Sequence, residues 1–241
     1  MNTIRPLDYF ALQDYVSQEV LTPFYNRRTI SLLNLQLKND ILKRKNPYLF
    51  KAKNVRTAEE FVRYALNAFL SSQEETLFGN LLENLAIHIC SEVFGGMKAP
   101  EGEFKSVDLI FARDGNCYIV GIKSGTNWGN SDQIKTMKNH FKEARILLQG
   151  KGENRPILAV NGCMYGTDNK PFKKDRNDPE KDYLKYCGEV FWDFISGDSK
   201  LYLQLIEPIG VEAAKRSSAF DELYIRKINE MVTEFVSEFI T

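Results

Sequence analysis

The stretch SVDLIFARDGNCYIVGIKS (106–124) decides the fold. Two apolar runs flank Asp114-Gly115, and Asp-Gly between such runs is a strong hairpin signal. With a two-residue turn Arg113 pairs with Asn116, and counting back sets Asp108 opposite Gly121. Side chains alternate faces along a strand, so Asp108, Ile110 and Ala112 share a face with Cys117, Ile119, Gly121 and Lys123. Asp108 and Lys123 become diagonal neighbours with bare Gly121 between them. A three-residue turn would shift the register by one and turn the lysine away.

Outward from the hairpin the pattern becomes helical. Upstream, Phe78, Leu82, Leu85 and Ile89 mark a helix from about Ser72 to Val93, ending before Gly95-Gly96. On it Glu83 shares a stripe with Gly79, Ala86 and Cys90, a small and mostly apolar face. Downstream, Ser131 is placed to cap a helix to Leu148, with Ile134, Met137, Phe141 and Ala144 on its apolar side. Lys135, Lys138, Lys142 and Arg145 form a basic stripe elsewhere on it. ILAVNGCMYG (157–166) reads as a buried strand, and strand–helix–strand implies a crossover with a parallel pair. A charged loop (167–182) follows, then an edge strand leading into a short helix within 185–198. Residues 7–70 read as helices with short breaks, Thr57 with Glu59 and Glu60 marking a start. The expected class is α/β: a mixed central sheet flanked by helices, in one domain, 1–241. Its parts are a helical extension (1–70), a core (71–205) and C-terminal helices (206–241).

Composition narrows the function. No window holds the ~18 apolar residues of a spanning helix, and the N-terminus lacks the apolar core of a secretory signal, so a cytoplasmic protein is expected. Cys90, Cys117, Cys163 and Cys187 form no CxxC pair, and with only His88 and His140 beside them a zinc site is hard to assemble. Free, buried thiols are the expectation. The 32 basic and 32 acidic residues cancel, yet Arg27–Arg56 carries nine bases against Asp40, and Glu74–Glu103 six glutamates against Lys98. The basic block, with Tyr48 and Phe50 in it, suits a polyanion such as nucleic acid or else a solvated helical face.

Two carboxylates and a lysine converging on one pocket, as Asp108, Glu83 and Lys123 would, suit Mg²⁺-assisted phosphodiester hydrolysis. Oxygen ligands hold the hard cation, and a cation beside them orients water or stabilises the charged phosphorane. An aspartate on one strand, a turn, then an apolar strand ending in x-x-Lys resembles the PD-(D/E)xK nuclease core. SSQEETLFGNLLENLA (71–86), YIVGIKSGTNWGNSDQIKTMK (118–138), NGCMYG (161–166) and FWDFISGD (191–198) resemble type II restriction endonucleases of the PmeII-like group. The GIKSGTNWGNS string is the most specific of these.

The resemblance implies an αβββαβ core and a sequence-specific, Mg²⁺-dependent endonuclease on double-stranded DNA, leaving 5′-phosphates and 3′-hydroxyls. Asp108 would bridge metal and scissile phosphate, the Ile122 carbonyl would be a further metal ligand, and Lys123 would sit beside the attacking water. The pattern expects an acid where this chain has Gly121. Glu83 is the first candidate to replace it, ahead of Glu75, Asp132 and Glu143. Ser124, Asn127, Asn130, Gln133 and Lys135 are the expected DNA-binding residues. Trp128 could instead pack on the core while the asparagines cap turns. Cutting both strands of a palindrome calls for a homodimer, with Phe235, Val236 and Phe239 offering an apolar patch. The alternatives are a repair or junction nuclease, or a catalytically inactive DNA-binding relative.

Overall fold

The computed structural model describes residues 5–44 and 46–239. In chain order the helices and strands are α1 (Tyr9–Tyr15), α2 (Thr22–Asn34), α3 (Pro47–Ala52), α4 (Ala58–Phe94), β1 (Met97–Lys98), β2 (Leu109–Arg113) and β3 (Asn116–Lys123). Then come α5 (Ser131–Gly150), β4 (Ile157–Cys163), β5 (Lys170–Lys173), β6 (Tyr183–Cys187), α6 (Glu189–Ser196), α7 (Leu201–Gln204) and α8 (Ile206–Phe239). They form two compact units. One holds the described residues of Met1–Val16 with Leu81–Pro208, and the other those of Ser17–Asn80 with Ile209–Thr241. No helix among the described residues is long and apolar enough to cross a membrane.

The first unit is built on a mixed six-stranded sheet, ordered β1-β2-β3-β4-β6-β5. β3, α5 and β4 make the expected parallel crossover, and β6 adds a second parallel neighbour to β4. β6 is therefore an inner strand rather than an edge. The edge is β5, which pairs antiparallel with β6 and falls where a plain charged loop was expected. On one sheet face Ile119 and Ala159 pack beneath Met137, Phe141 and Ala144 of α5. On the other, Phe111 lies 5.7 Å from Phe94 and 5.2 Å from Phe194, ring centre to ring centre. All four cysteines are free and buried. Burial pushes the Cys117 thiol up to about 11 and the Cys163 thiol to about 12, which removes both from thiolate chemistry.

The cap of α5 is Asn130, one residue before the serine expected there. Its side chain accepts from the Asp132 and Gln133 amides while the Gln133 side chain returns to the Asn130 amide, a full capping box. The basic stripe of α5 is largely consumed. Lys138 pairs with Asp175, Lys142 with Asp178 and Glu180, and Arg145 donates to the Ile157, Glu180 and Asp182 carbonyls. These contacts bind the 167–182 segment to the helix.

The second unit is helical around Leu32, Leu37, Ile41, Val62, Leu66, Phe220, Ile228 and Met231. A capping box between Thr57 and Glu60 starts α4, as the sequence suggests. That helix then runs without interruption to Phe94, passing the expected second start at Ser72. Phe235, assigned from sequence to a dimer contact, packs here on Phe61 at 4.8 Å, partly buried against the core of its own unit. Val236 is exposed, and the Phe239 side chain lies outside the described residues, as do the Lys45 and Arg44 side chains of the basic block.

Candidate active site

The turn that sets the site has φ of 50° at Asp114 and 76° at Gly115, the two left-handed residues of a tight two-residue hairpin. The register runs from Arg113↔Asn116 to Leu109↔Val120. Asp108 lies one residue further on, its amide donating to the Val120 carbonyl at 2.8 Å. Beyond that point β3 outruns its partner strand, and side chains take over the ladder. The Asp108 carboxylate accepts from the Ile122 amide at 2.6 Å, and the Lys123 ammonium donates to the Ile122 carbonyl at 2.8 Å. Lys123 Nζ stands 3.8 Å from Asp108 Oδ2, with the two side chains 29% and 23% exposed. The diagonal pair thus forms at a solvent-accessible strand end.

Gly121 has a physical reason. A Cβ there would lie 2.6 Å from the Ser106 carbonyl oxygen and 3.4 Å from Phe141 Cζ. Ser106 holds this position with a left-handed φ of 55°, its hydroxyl 2.7 Å from His140 Nδ1. No carboxylate fits at 121 beside that carbonyl. Glu83, on α4, is half-buried, whereas Glu75, Asp132 and Glu143 are exposed, Glu75 in the helical unit. Burial raises the Glu83 carboxyl above the ordinary carboxylate range, and the Asp108 charge raises it further, while Lys123 and Lys98 pull it back. Glu83 therefore feels both members of the hairpin pair. Lys98 of β1 went unread as a member of this group. Its one sequence signal is that it stands alone among six glutamates.

Among the described residues no three His, Cys, Asp or Glu side chains cluster to hold a metal ion. Protein oxygens at the strand end come from Asp108 and the Ile122 carbonyl, and the Glu83 carboxyl is electrostatically coupled to the Asp108–Lys123 pair. Their chemistry suits a hard cation that keeps several waters. The Lys123 ammonium already sits between two of those oxygens, a mark of the negative potential there.

The loop after β3 divides the expected DNA-binding residues. Asn127 and Lys135 are exposed and Ser124 is half-buried, whereas the Asn130 and Gln133 amides are engaged in the α5 cap. Trp128 is part-buried against the α5 core, its ring centre 5.7 Å from Lys123 Nζ. Its indole N–H donates to Asn161 Oδ1 at 3.2 Å. Asn161 is 2% exposed and went unread from the sequence, although it is a polar residue inside the otherwise apolar run ILAVNGC. Phe191, Trp192 and Phe194 are buried core residues, in keeping with their apolar surroundings.

Among curated proteins no match is found. The narrower PmeII-like resemblance rests on the sequence strings alone. A family model described as type II restriction endonuclease EcoO109I matches residues 11–217, spanning the hairpin, Glu83 and most of both units. The chain belongs to this family of type II restriction endonucleases, nucleases whose substrate is DNA.

Proposed function

We propose that the protein is a sequence-specific type II endonuclease that hydrolyses duplex DNA with Mg²⁺, leaving 5′-phosphates and 3′-hydroxyls. The observation that carries this reading is the Asp108–Lys123 pair at an open strand end, with the Glu83 carboxyl charge-coupled to both. Asp108, Glu83 and the Ile122 carbonyl would hold the cation, which when bound supplies positive charge against the phosphate and lowers the pKa of a bound water. Asp108, fixed by the Ile122 amide, presents its free oxygen at a constant angle. Lys123 would face a non-bridging phosphate oxygen and neutralise charge as a water oxygen attacks phosphorus. The bond to the 3′ oxygen breaks, that oxygen takes a proton, and the phosphate stays on the 5′ end.

Ser124, Asn127 and Lys135 are the DNA-facing residues in this reading, and the homodimer follows from cutting two antiparallel strands. The helical unit would add phosphate contacts. Its Lys43, Lys51 and Lys53 are exposed and form no ion pair among the described residues, and Tyr48 beside them is 81% exposed. Counterion release by such charges supplies sequence-independent affinity.

The test is digestion of a sequenced plasmid with Mg²⁺ and mapping of the ends. Discrete fragments with 5′-phosphates are expected. Structure-dependent nicking would mean a repair or junction nuclease, and bound but intact DNA with Mg²⁺ or Mn²⁺ would mean an inactive relative.

A further inference from the structure

β3 and β4 run parallel with Gly121 beside Asn161 and Lys123 beside Cys163, so these four positions share one sheet face. Gly121 contributes no side chain, which leaves Asn161 as the polar group of that row next to the reactive end. Its amide is buried, and only half of it is used. Oδ1 accepts from the Trp128 indole and, weakly, from the Cys163 thiol at 3.9 Å, while Nδ2 has no hydrogen-bond partner. A leucine would leave no unpaired Nδ2 at this position, but it would take the acceptor from the Trp128 indole N–H. The carbonyl half of the amide, however, fixes the edge of an indole whose face lies 5.7 Å from the Lys123 ammonium. An aromatic face attracts an ammonium through its quadrupole, and more so when both are partly desolvated.

We infer that Asn161 is a positioning residue for Lys123, acting through Trp128: the buried amide fixes the indole, and the indole face confines the ammonium beside Asp108. Trp128 sits in the 124–130 loop, between the end of β3 and the α5 cap. The cap holds one end of the loop and the Lys123 and Ser124 carbonyls, which accept from the Met164 and Tyr165 amides, hold the other. In between, the ring packs against the α5 core, and the Asn161 bond is the polar contact that fixes its indole edge. Without it the ring turns, and Lys123 samples positions away from the phosphate.

This inference rests on Lys123 acting in cleavage, so Lys123→Ala is run alongside. The substrate is a plasmid cut by the wild type, with enzyme in excess and Mg²⁺ present, and affinity is measured on the same DNA without metal. Asn161→Leu and Trp128→Phe are each expected to slow single-turnover cleavage by about 10- to 100-fold with DNA affinity unchanged. Their combination should be no slower than the worse single variant, because both remove one connection. Asn161→Leu removes one stranded donor, its own Nδ2, and strands another, the Trp128 indole N–H, so its melting temperature should stay close to that of the wild type while activity falls. A residue that only supports the fold would instead lose stability and rate together, and additive losses in the double variant would equally overturn the inference. Should Asn161→Leu fail to fold, Trp128→Phe carries the same rate-against-affinity test. An inactive Lys123→Ala beside a Trp128→Phe of wild-type rate defeats this inference alone. A Lys123→Ala that cuts at the wild-type rate defeats the reading of the site itself.

Discussion

Two basic stretches, α5 in the sheet unit and the residues around α3 in the helical unit, use their positive charge in opposite ways. In the sheet unit the bases of α5 are spent inward, on the acids and carbonyls of the 167–182 segment. In the helical unit the bases around α3 face solvent without carboxylate partners among the described residues. Both read alike in the sequence, as basic blocks with acids nearby or absent. The difference teaches that a run of lysines marks a polyanion surface only where the fold leaves it unpaired. Pairing depends on contacts dozens of residues away, as between Lys138 and Asp175.

The largest expected effect lies at the Asp108–Lys123 pair of the sheet unit. Lys123→Ala should lower single-turnover cleavage by about 10²–10³-fold, the cost of removing one aimed charge stabiliser. Asp108→Asn should do at least as much while preserving the fold, because its amide oxygen still accepts from Ile122. Asp108→Ala strands that amide on a residue 1% exposed, which costs about 1–3 kcal/mol and should appear in a denaturant titration.

Glu83 gives the next largest effect, with opposite signs for rate and stability. Its carboxyl titrates higher in the folded chain than in the unfolded one. The stabilisation linked to its protonation is complete below the unfolded value and is lost as pH rises through the folded value. Glu83→Gln should therefore melt higher than wild type at neutral pH, with the gap closing in acid, while cleavage falls by about a hundredfold or more and needs more Mg²⁺. A variant that melts lower and cuts normally would make Glu83 a structural acid. Gly121→Glu in that background should not restore cutting. The new side chain meets the Ser106 carbonyl and should destabilise by about 1–3 kcal/mol, measured by urea unfolding.

The smallest effect belongs to the helical unit. Lys51→Glu with Lys53→Glu should leave the cleavage rate at saturating, low-salt conditions unchanged. It should reduce the slope of log affinity against log salt by about 1–2, a change visible in filter binding at several ionic strengths. An unaltered slope would return those lysines to being a solvated face. Lys142→Met, the corresponding change in the paired stripe of α5, should leave the slope where it was.

The hairpin was legible because glycine takes the left-handed region freely and aspartate tolerates it better than most residues, and one turn type then determines every pairing back to Asp108. The α5 crossover was legible from its apolar period. β5 was not: KPFK has little apolar content and pairs only through a register shift against β6. The continuity of α4 was also hidden, because Ser71 and Ser72 resemble a break yet remain exposed helical positions where they cost little. Phe235 read as an apolar patch for a partner chain because its neighbour within the chain, Phe61, is far from it in sequence. At the site, Asp108 and Lys123 followed from local register. Lys98, Asn161 and the Ser106–His140 bond belong to pairings no local pattern reveals.

The close approach of the Ser106 carbonyl to Gly121 also bears on how such a chain can change over generations. Aspartate or glutamate lies one nucleotide from glycine in the genetic code, so mutation offers position 121 an acid repeatedly. Each offer meets a backbone oxygen that cannot yield without a second change in the turn before Asp108. The arrangement acts as a ratchet: the lineage can lose or refine whatever acid now serves the strand end, but reaching the commoner layout requires the 106 turn to be rebuilt first.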